Sequence, residues 1–161
     1  MYRFLTTTLL ICCCTAASAD AKPLEFGFPG ILIGEEINKQ GPSGVTVFHF
    51  PPGVTAAADI RGGSVGSTGA EFGFLHALFL SGGSLFGLEV AGGIRGELLA
   101  KAGNEVRWDT VPLVAGAIIW DYNNRPTATY PDKSLGRASP RAARLGHLSP
   151  GRTGAGIFAA V

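Results

Sequence analysis

The stretch Leu80-Ser81-Gly82-Gly83-Ser84-Leu85-Phe86-Gly87 separates two hydrophobic patterns of different period. The apolar run that precedes it is short, as in a buried strand. After it, apolar residues recur at the spacing of one helix face, namely Leu85, Leu88, Ala91, Ile94 and Leu98. The stretch therefore predicts a strand, a tight turn and a buried helix that packs on a sheet.

Glycines inside the predicted helix are its unusual feature. Each of them costs roughly 1 kcal/mol relative to alanine, and there are four: Gly87, Gly92, Gly93 and Gly96. Such a helix is tolerable if a neighbouring element packs very closely against it. At its start, Ser81 or Ser84 is predicted to cap the helix, because a serine oxygen accepts from amides that have no partner inside the helix. Gly103-Asn104 is predicted to end it.

Known phosphate and nucleophile motifs do not match this turn. It has neither the lysine of a phosphate loop nor the Gly-x-Gly-x-x-Gly of a dinucleotide site. A nucleophile elbow reads Gly-x-Ser-x-Gly, and Phe86 stands where the last glycine belongs. We therefore predict that Ser81, Gly82, Gly83 and Ser84 form a structural turn or part of a substrate pocket, and that Ser84 is not a nucleophile.

Residues 1–19 have the pattern of a secretory signal peptide. Arg3 precedes an apolar core, and Ala17-Ser18-Ala19 is a small-residue cleavage site. We expect cleavage after Ala19 and export to the periplasm or the exterior. The cysteines all lie in this segment, at positions 12–14, so the mature chain is expected to have no disulfide and no cysteine metal ligand.

Composition after this segment argues against charged macromolecular partners. The chain has 13 Lys and Arg, one of them Arg3, against 12 Asp and Glu. This balance gives no reason to expect binding to nucleic acid or to a membrane surface, and no later apolar run reaches the ~20 residues of a membrane span. His49, His76 and His147 lack metal-ligand spacing, so neither a metal nor another cofactor is expected.

The mature chain is predicted to be one domain preceded by an extended segment. Residues 20–44 are the extended lead-in, rich in Pro and Gly, and residues 45–161 form the domain. Further elements are predicted from composition and breaker residues. They are a strand Val45–Phe50 ended by Pro51, a strand Ala56–Arg61, a buried strand Val111–Trp120, and a helix from Tyr130 to Gly146 interrupted by Pro140.

Several motifs occur together in one order. They are Pro29-Gly30 with Ile33-Gly34, Gly41 to Val47, Asp59 to Gly66, Leu80 to Glu89, Tyr130 to Ala138, and Gly151 to Gly156. In this order they resemble the L-aminopeptidase/D-esterase family of self-cleaving peptidases, and especially its branch of endo-type 6-aminohexanoate (nylon) oligomer hydrolases. The resemblance extends from about Phe28 to Val161.

The resemblance implies an α/β fold, a four-layer αββα sandwich that is incomplete in this chain. It also implies hydrolysis of a small peptide or amide by a homo-oligomer. In the family, self-cleavage frees a Ser or Thr whose hydroxyl attacks the carbonyl while its own amine acts as the base. No metal or cofactor is implied.

The family's nucleophile and its supporting lysine lie downstream of the motif found here at Gly151 to Gly156. We therefore expect this chain to be the N-terminal part of an exported amide hydrolase, with the nucleophile beyond Val161. The alternative is a truncated or degenerate, non-catalytic domain with a structural or binding role.

One family active-site position, a tyrosine, corresponds to Trp120. Tryptophan has an N–H donor but no hydroxyl, so it replaces that residue only in part. Tyr122 would lie on the same face if the strand continued, and it is a possible substitute.

Overall fold

The computed structural model describes residues 22–105, 107–108 and 111–159 of the 161-residue chain. The signal-peptide prediction for residues 1–19, including the three cysteines, lies outside the described residues. Eight strands and two helices are present in these ranges. They are β1 (Leu24–Glu25), β2 (Leu32–Asn38), β3 (Ser43–Thr55), β4 (Ser67–Thr68), β5 (Phe74–Ser81), α1 (Val90–Lys101), β6 (Val114–Ile118), α2 (Lys133–Ala142), β7 (Arg144–Leu145) and β8 (His147–Leu148).

Six of the strands form one mixed sheet in the order β4-β6-β5-β3-β2-β7. Only β5 and β6 run parallel within it, and α1 connects them. The other neighbours are antiparallel, and β1 pairs with β8 separately. The α/β prediction is confirmed, and so is the order strand, turn and helix around residues 80–87. Part of the segment predicted to be an extended lead-in, Leu32–Asn38, is strand β2 of this sheet.

The hydrophobic core lies between the sheet and the two helices. Its centre is Phe79 of β5, fully buried between α1 and the neighbouring strands. Around it pack buried aliphatic side chains of the strands and of α1, namely Val45, Val47, Val90, Ile94, Leu98 and Val114. The alternation along β5 directs Ala77 and Phe79 to this side, whereas Leu75 lines the cavity on the opposite face.

The opposite face of the sheet is apolar and partly open. Leu78 and Leu80 of β5 are each 38% exposed on this face. The connection before β5 crosses it and leaves a cavity of about 190 Å³, lined by side chains that include Ala57, Phe72 and Leu78. Residues Gly154–Gly156 form a short 3-10 turn over its other half, where the Ala155 amide donates to Thr46 Oγ1 at 3.2 Å.

The glycines of α1 explain how closely the helices pack. A Cβ at Gly93 would collide with the Lys133 carbonyl and lie 2.8 Å from the Arg137 amide of α2. The prediction of close packing is confirmed there and at Gly96, which meets the Arg137 side chain. Gly87 lies in the 3-10 turn before α1, and a Cβ there would collide with the Gly82 carbonyl of the adjoining turn. The prediction is wrong at Gly92, which faces open space.

Charged side chains also connect α1 and α2. Glu97 of α1 is buried, and its carboxylate lies 2.7 Å from the Arg141 guanidinium and 3.7 Å from that of Arg137. The hydrogen bond from Arg141 holds the pKa of Glu97 below its ordinary value. Asp132 caps α2 by accepting from the Leu135 amide at 2.9 Å. The helix ends at Ala142, soon after the predicted breaker Pro140.

Four local predictions are wrong. Ala56–Arg61 is not a strand: after the Ala56 amide, which donates to Gly73 O at 3.0 Å, the segment crosses the open sheet face and lines its cavity. Pro51 does not end β3, which continues to Thr55 through a register shift between His49 and Val54. Neither Ser81 nor Ser84 caps a helix, and the N-cap position of the first turn is Gly83, with φ +84°. Leu85 is 64% exposed rather than on the buried face, because residues Ser84–Glu89 form a 3-10 turn that shifts the helical phase.

Candidate functional site

The turn after β5 meets the segment after β6 at one edge of the sheet. Because β5 and β6 are parallel, their carboxyl ends lie side by side. This geometry brings together the two groups of residues singled out in the sequence, the turn Ser81–Ser84 and the pair Trp120 and Tyr122. We define the candidate site as these residues together with the side chains that hold them.

Asp121 lies at the centre of the site and is 2% exposed. One carboxylate oxygen accepts from Ser43 Oγ at 2.7 Å, and the other accepts from the Gly83 amide at 2.9 Å. Gly82 has no room for a side chain, since a Cβ there would collide with Asp121 and Ser43. The turn can therefore approach the carboxylate only with glycine at position 82.

Arg125 supplies the opposite charge. Its guanidinium lies 3.0 Å from the Asp121 carboxylate, and both side chains are fully buried. Arg125 Nε also donates to the Asp121 carbonyl at 3.1 Å, and another guanidinium nitrogen donates to the Thr129 carbonyl. The guanidinium nitrogen that faces the Asp121 carboxylate makes this ionic contact but has no hydrogen-bond partner.

The amides of the turn are engaged within the chain. Gly82 N donates to Gly44 O at 2.9 Å, Gly83 N to Asp121, and Ser84 N to Ile119 O at 3.2 Å. The Ser81 hydroxyl is fully buried and donates to Gly82 O at 3.0 Å. These three amides and this hydroxyl hold the turn and do not offer donors to a ligand.

Trp120 and Tyr122 are in contact, although not as neighbours on one strand face. Strand β6 ends at Ile118, before the predicted end at Trp120, and Tyr122 begins a 3-10 turn, so the strand does not continue as far as Tyr122. The two rings nevertheless meet edge to face with centroids 5.4 Å apart. The donors of both side chains are engaged: Trp120 Nε1 donates to Asn123 Oδ1 at 2.9 Å, and the Tyr122 hydroxyl donates to Gly83 O at 2.9 Å.

A second aromatic pair borders the turn. Phe86 stacks on Tyr130 with ring centroids 5.2 Å apart, and Phe86 is 63% exposed. The Tyr130 hydroxyl donates to Glu89 at 3.3 Å, and the negative charge of Glu89 raises the pKa of Tyr130. Together with the exposed Leu85 and Trp120, these rings make an apolar rim around the site.

Sequence reasoning missed Ser43, Asp121 and Arg125. A usable signal was present, because Asp121 and Arg125 are spaced i, i+4 on either side of Tyr122. Such a pair is ordinarily a solvent-exposed one, and nothing local to it indicates that the Gly82-Gly83 turn will bury it.

Histidines gather at the other end of the sheet. His49 and His76 line a cleft of about 370 Å³ together with Lys101 and Pro112. Burial, then the charges of Lys101 and His76, lower the pKa of His49 from 6.5 to about 4. Within residues 22–105, 107–108 and 111–159, no three His, Cys, Asp or Glu side chains are placed to hold a metal ion. None of the helices in these ranges is long and apolar enough to cross a membrane.

We predict an acid-sensitive stability that depends on His49. In the unfolded chain His49 is protonated as the pH falls below 6.5, whereas in the folded chain it is protonated only near pH 4. The free energy of unfolding therefore decreases as the pH is lowered through this range. Because the side chain is only half-buried, the loss is about 2 kcal/mol. Urea unfolding at pH 7 and pH 4.5 should show this loss, and His49→Leu should reduce it.

His147→Gln is the matched control and should keep the full acid dependence. A smaller dependence should persist in His49→Leu, because burial also lowers the pKa of His76. An unchanged slope in His49→Leu would contradict the assignment.

Comparison with known proteins identifies first the class of fold and then the relatives. The fold is aminopeptidase-like: a Burkholderia sp. beta-aminopeptidase superposes with a TM-score of 0.59 over 86% of this chain and 44% of that chain, at 18% identity. In sequence, the chain is 42% identical over 142 residues to a 6-aminohexanoate-oligomer endohydrolase of Kocuria sp. (strain KY2). It is also 39% identical over 101 residues to an uncharacterized aminopeptidase of Mycobacterium bovis. No family model matches.

These matches confirm the resemblance seen in the motifs. The chain is a homologue of 6-aminohexanoate-oligomer endohydrolases and of aminopeptidases. The Kocuria match covers 88% of this chain and 40% of that enzyme, whereas the Mycobacterium match covers 54% and 29%. The chain thus spans about 40% of the length of the endohydrolase.

Proposed function

We propose that this chain forms part of an amide-bond hydrolase acting on small peptides or amide oligomers. The observation that carries the proposal is the 42% identity to an oligomer endohydrolase over 142 residues. Because the match covers 88% of this chain, it includes most of the described fold. The aminopeptidase-like fold supports it independently.

The proposed chemistry is that of an N-terminal nucleophile. Self-cleavage frees a Ser or Thr; its hydroxyl oxygen attacks the substrate carbonyl, and its new amine accepts the proton and passes it to the leaving nitrogen. Water then hydrolyses the ester and restores the hydroxyl. In this proposal the nucleophile belongs to a region that corresponds to the unmatched part of the relatives, and the present chain supplies one wall of the site.

The open sheet face fits this assignment. Leu78 and Leu80 are partly exposed beside an apolar cavity of about 190 Å³, and such a surface is ordinarily buried. We propose that a second sheet from the remaining region packs on this face and completes a four-layer αββα sandwich. We also propose that the complete protein assembles into a homo-oligomer.

We further propose that the protein is exported. Cleavage of residues 1–19 is expected to give a mature chain that begins at Asp20. Mass spectrometry of the periplasmic or secreted product should show this terminus. Replacing Ala17 and Ala19 by bulky residues should block processing, whereas a soluble cytoplasmic species that retains Met1 would contradict export.

A non-catalytic role is the second candidate. It is favoured by one observation, namely that the donors of Trp120 and Tyr122 are both engaged by the chain itself. In that case the domain would keep the fold and bind a partner or ligand without turnover.

A chimera separates the two candidates. The homologous 142 residues of the Kocuria endohydrolase would be replaced by the corresponding residues of this chain. We expect the chimera to cleave itself and to hydrolyse 6-aminohexanoate oligomers, detected by gel electrophoresis and by release of amines. The parent enzyme is the positive control. A chimera that folds and self-cleaves but fails to hydrolyse oligomers would support the non-catalytic candidate.

A further inference from the structure

We propose that the buried Asp121–Arg125 ion pair is a positioning device that holds Tyr122 as a hydrogen-bond acceptor for the N–H of an amide ligand. The inference rests on the proposed function, because that proposal supplies the ligand class. It concerns binding and the orientation of one side chain.

The ion pair joins four parts of the chain that are distant in sequence. Asp121 receives hydrogen bonds from Ser43 at the start of β3 and from Gly83 in the turn after β5. Arg125 reaches the Thr129 carbonyl in the segment before α2. Both side chains are fully buried, so this pair fixes the turn and the segment 121–129 relative to each other.

Tyr122 is held between these parts. The Arg125 guanidinium lies over its ring, 4.3 Å from the centroid, and Trp120 packs on it edge to face. Its hydroxyl donates to Gly83 O at 2.9 Å, and the Gly83 amide is in turn bound to Asp121. The ion pair therefore determines both the plane of the ring and the carbonyl to which the hydroxyl points.

The polarity of the phenol follows from this arrangement. A tyrosine hydroxyl has one proton and can both donate and accept. Since its proton is directed to Gly83 O, the oxygen can offer only lone pairs to a ligand. Lone pairs suit the N–H of an amide and not a developing oxyanion, which requires donors. Tyr122 in this position selects amides over esters, which have no N–H.

Equilibrium binding to the whole chain tests this inference without turnover. In a Trp108→Phe background the emission reports Trp120 alone, because the chain has two tryptophans and Trp120 packs on Tyr122. The probes are N-methylhexanamide and methyl hexanoate, neither of which has a second N–H. They differ at the N–H under test. We expect the amide to bind about five-fold more tightly than the ester, the effect of one hydrogen bond.

The variants separate positioning from general stability. Tyr122→Phe should abolish the preference for the amide, and Arg125→Met should reduce it to less than two-fold. Arg125→Lys keeps the charge but not the planar contact, and should restore part of the preference. Glu97→Gln weakens a different buried ion pair, between α1 and α2, and should leave the preference intact.

Three outcomes would overturn the inference. They are equal affinity for the amide and the ester in the parent chain, no binding of either probe, or an unchanged preference in folded Arg125→Lys and Arg125→Met. An inactive chimera would count against the proposed hydrolase alone, because the binding assay does not depend on hydrolysis.

Discussion

Replacing Phe79 by alanine is expected to lower the free energy of unfolding by about 4 kcal/mol. Phe79 is fully buried at the centre of the core, between the sheet and α1. Its ring also lies against Gly116, where a Cβ would collide with it. The rigid backbone of β6 cannot move in to fill the space, so the variant keeps a cavity, and cavities of this size are costly.

The measurement is urea unfolding followed by circular dichroism, with thermal melting alongside. Because small domains are stable by about 5–15 kcal/mol, a loss of about 4 kcal/mol removes between roughly a quarter and four fifths of the stability and is easily measured. Phe86→Ala is the matched control: its ring is 63% exposed and stacks on Tyr130, and losing that contact should cost about 1 kcal/mol or less. Equal losses in the two variants would show that Phe79 is not the centre of the core.

The second large effect is expected at Gly93 of α1. Alanine at this position places a methyl group against the Lys133 carbonyl and the Arg137 amide, both backbone groups of α2. The helices must separate to admit it, and overpacking of this kind costs about 3 kcal/mol. Gly136, which faces the Val90 backbone from the opposite helix, shows that the contact is tight on both sides.

Gly92→Ala makes the same chemical change one residue earlier. A Cβ there meets nothing within 4 Å, so only helix propensity acts and the variant should gain about 1 kcal/mol. The two variants should therefore move the urea midpoint in opposite directions. If Gly92→Ala and Gly93→Ala both lowered the free energy of unfolding, helix propensity would not be the main effect at position 92.

The residues around the central turn show what sequence can predict. The strand, turn and helix follow from a change of hydrophobic period at Leu80–Gly87, and that signal is local. The demand for close helix packing also follows, because four glycines in one helix need a reason. Which of them meets a neighbour depends on the rotation of α1, and the 3-10 turn at Ser84–Glu89 changes that rotation without a sequence signature.

The site could be predicted only in part, because the contacts that assemble it join residues that are distant in sequence. The turn and the pair Trp120 and Tyr122 could be singled out because motifs mark them. Their contact depends on the parallel pairing of β5 and β6, which aligns Ser81 with Ile118. Asp121 and Arg125 carry no motif, and their role arises only when Ser43, 78 residues away in the chain, reaches the same carboxylate.

That separation has a consequence for how the molecule folds. The Asp121 network joins segments that begin at positions 43, 83 and 121, so it closes long loops and needs the sheet order β3-β5-β6 to exist first. Non-local closure of this kind slows folding. Contacts that form after the transition state act mainly on the rate of unfolding. We expect the ion pair to form after the sheet, and an ion pair that forms after the transition state lengthens the lifetime of the native state more than it speeds folding.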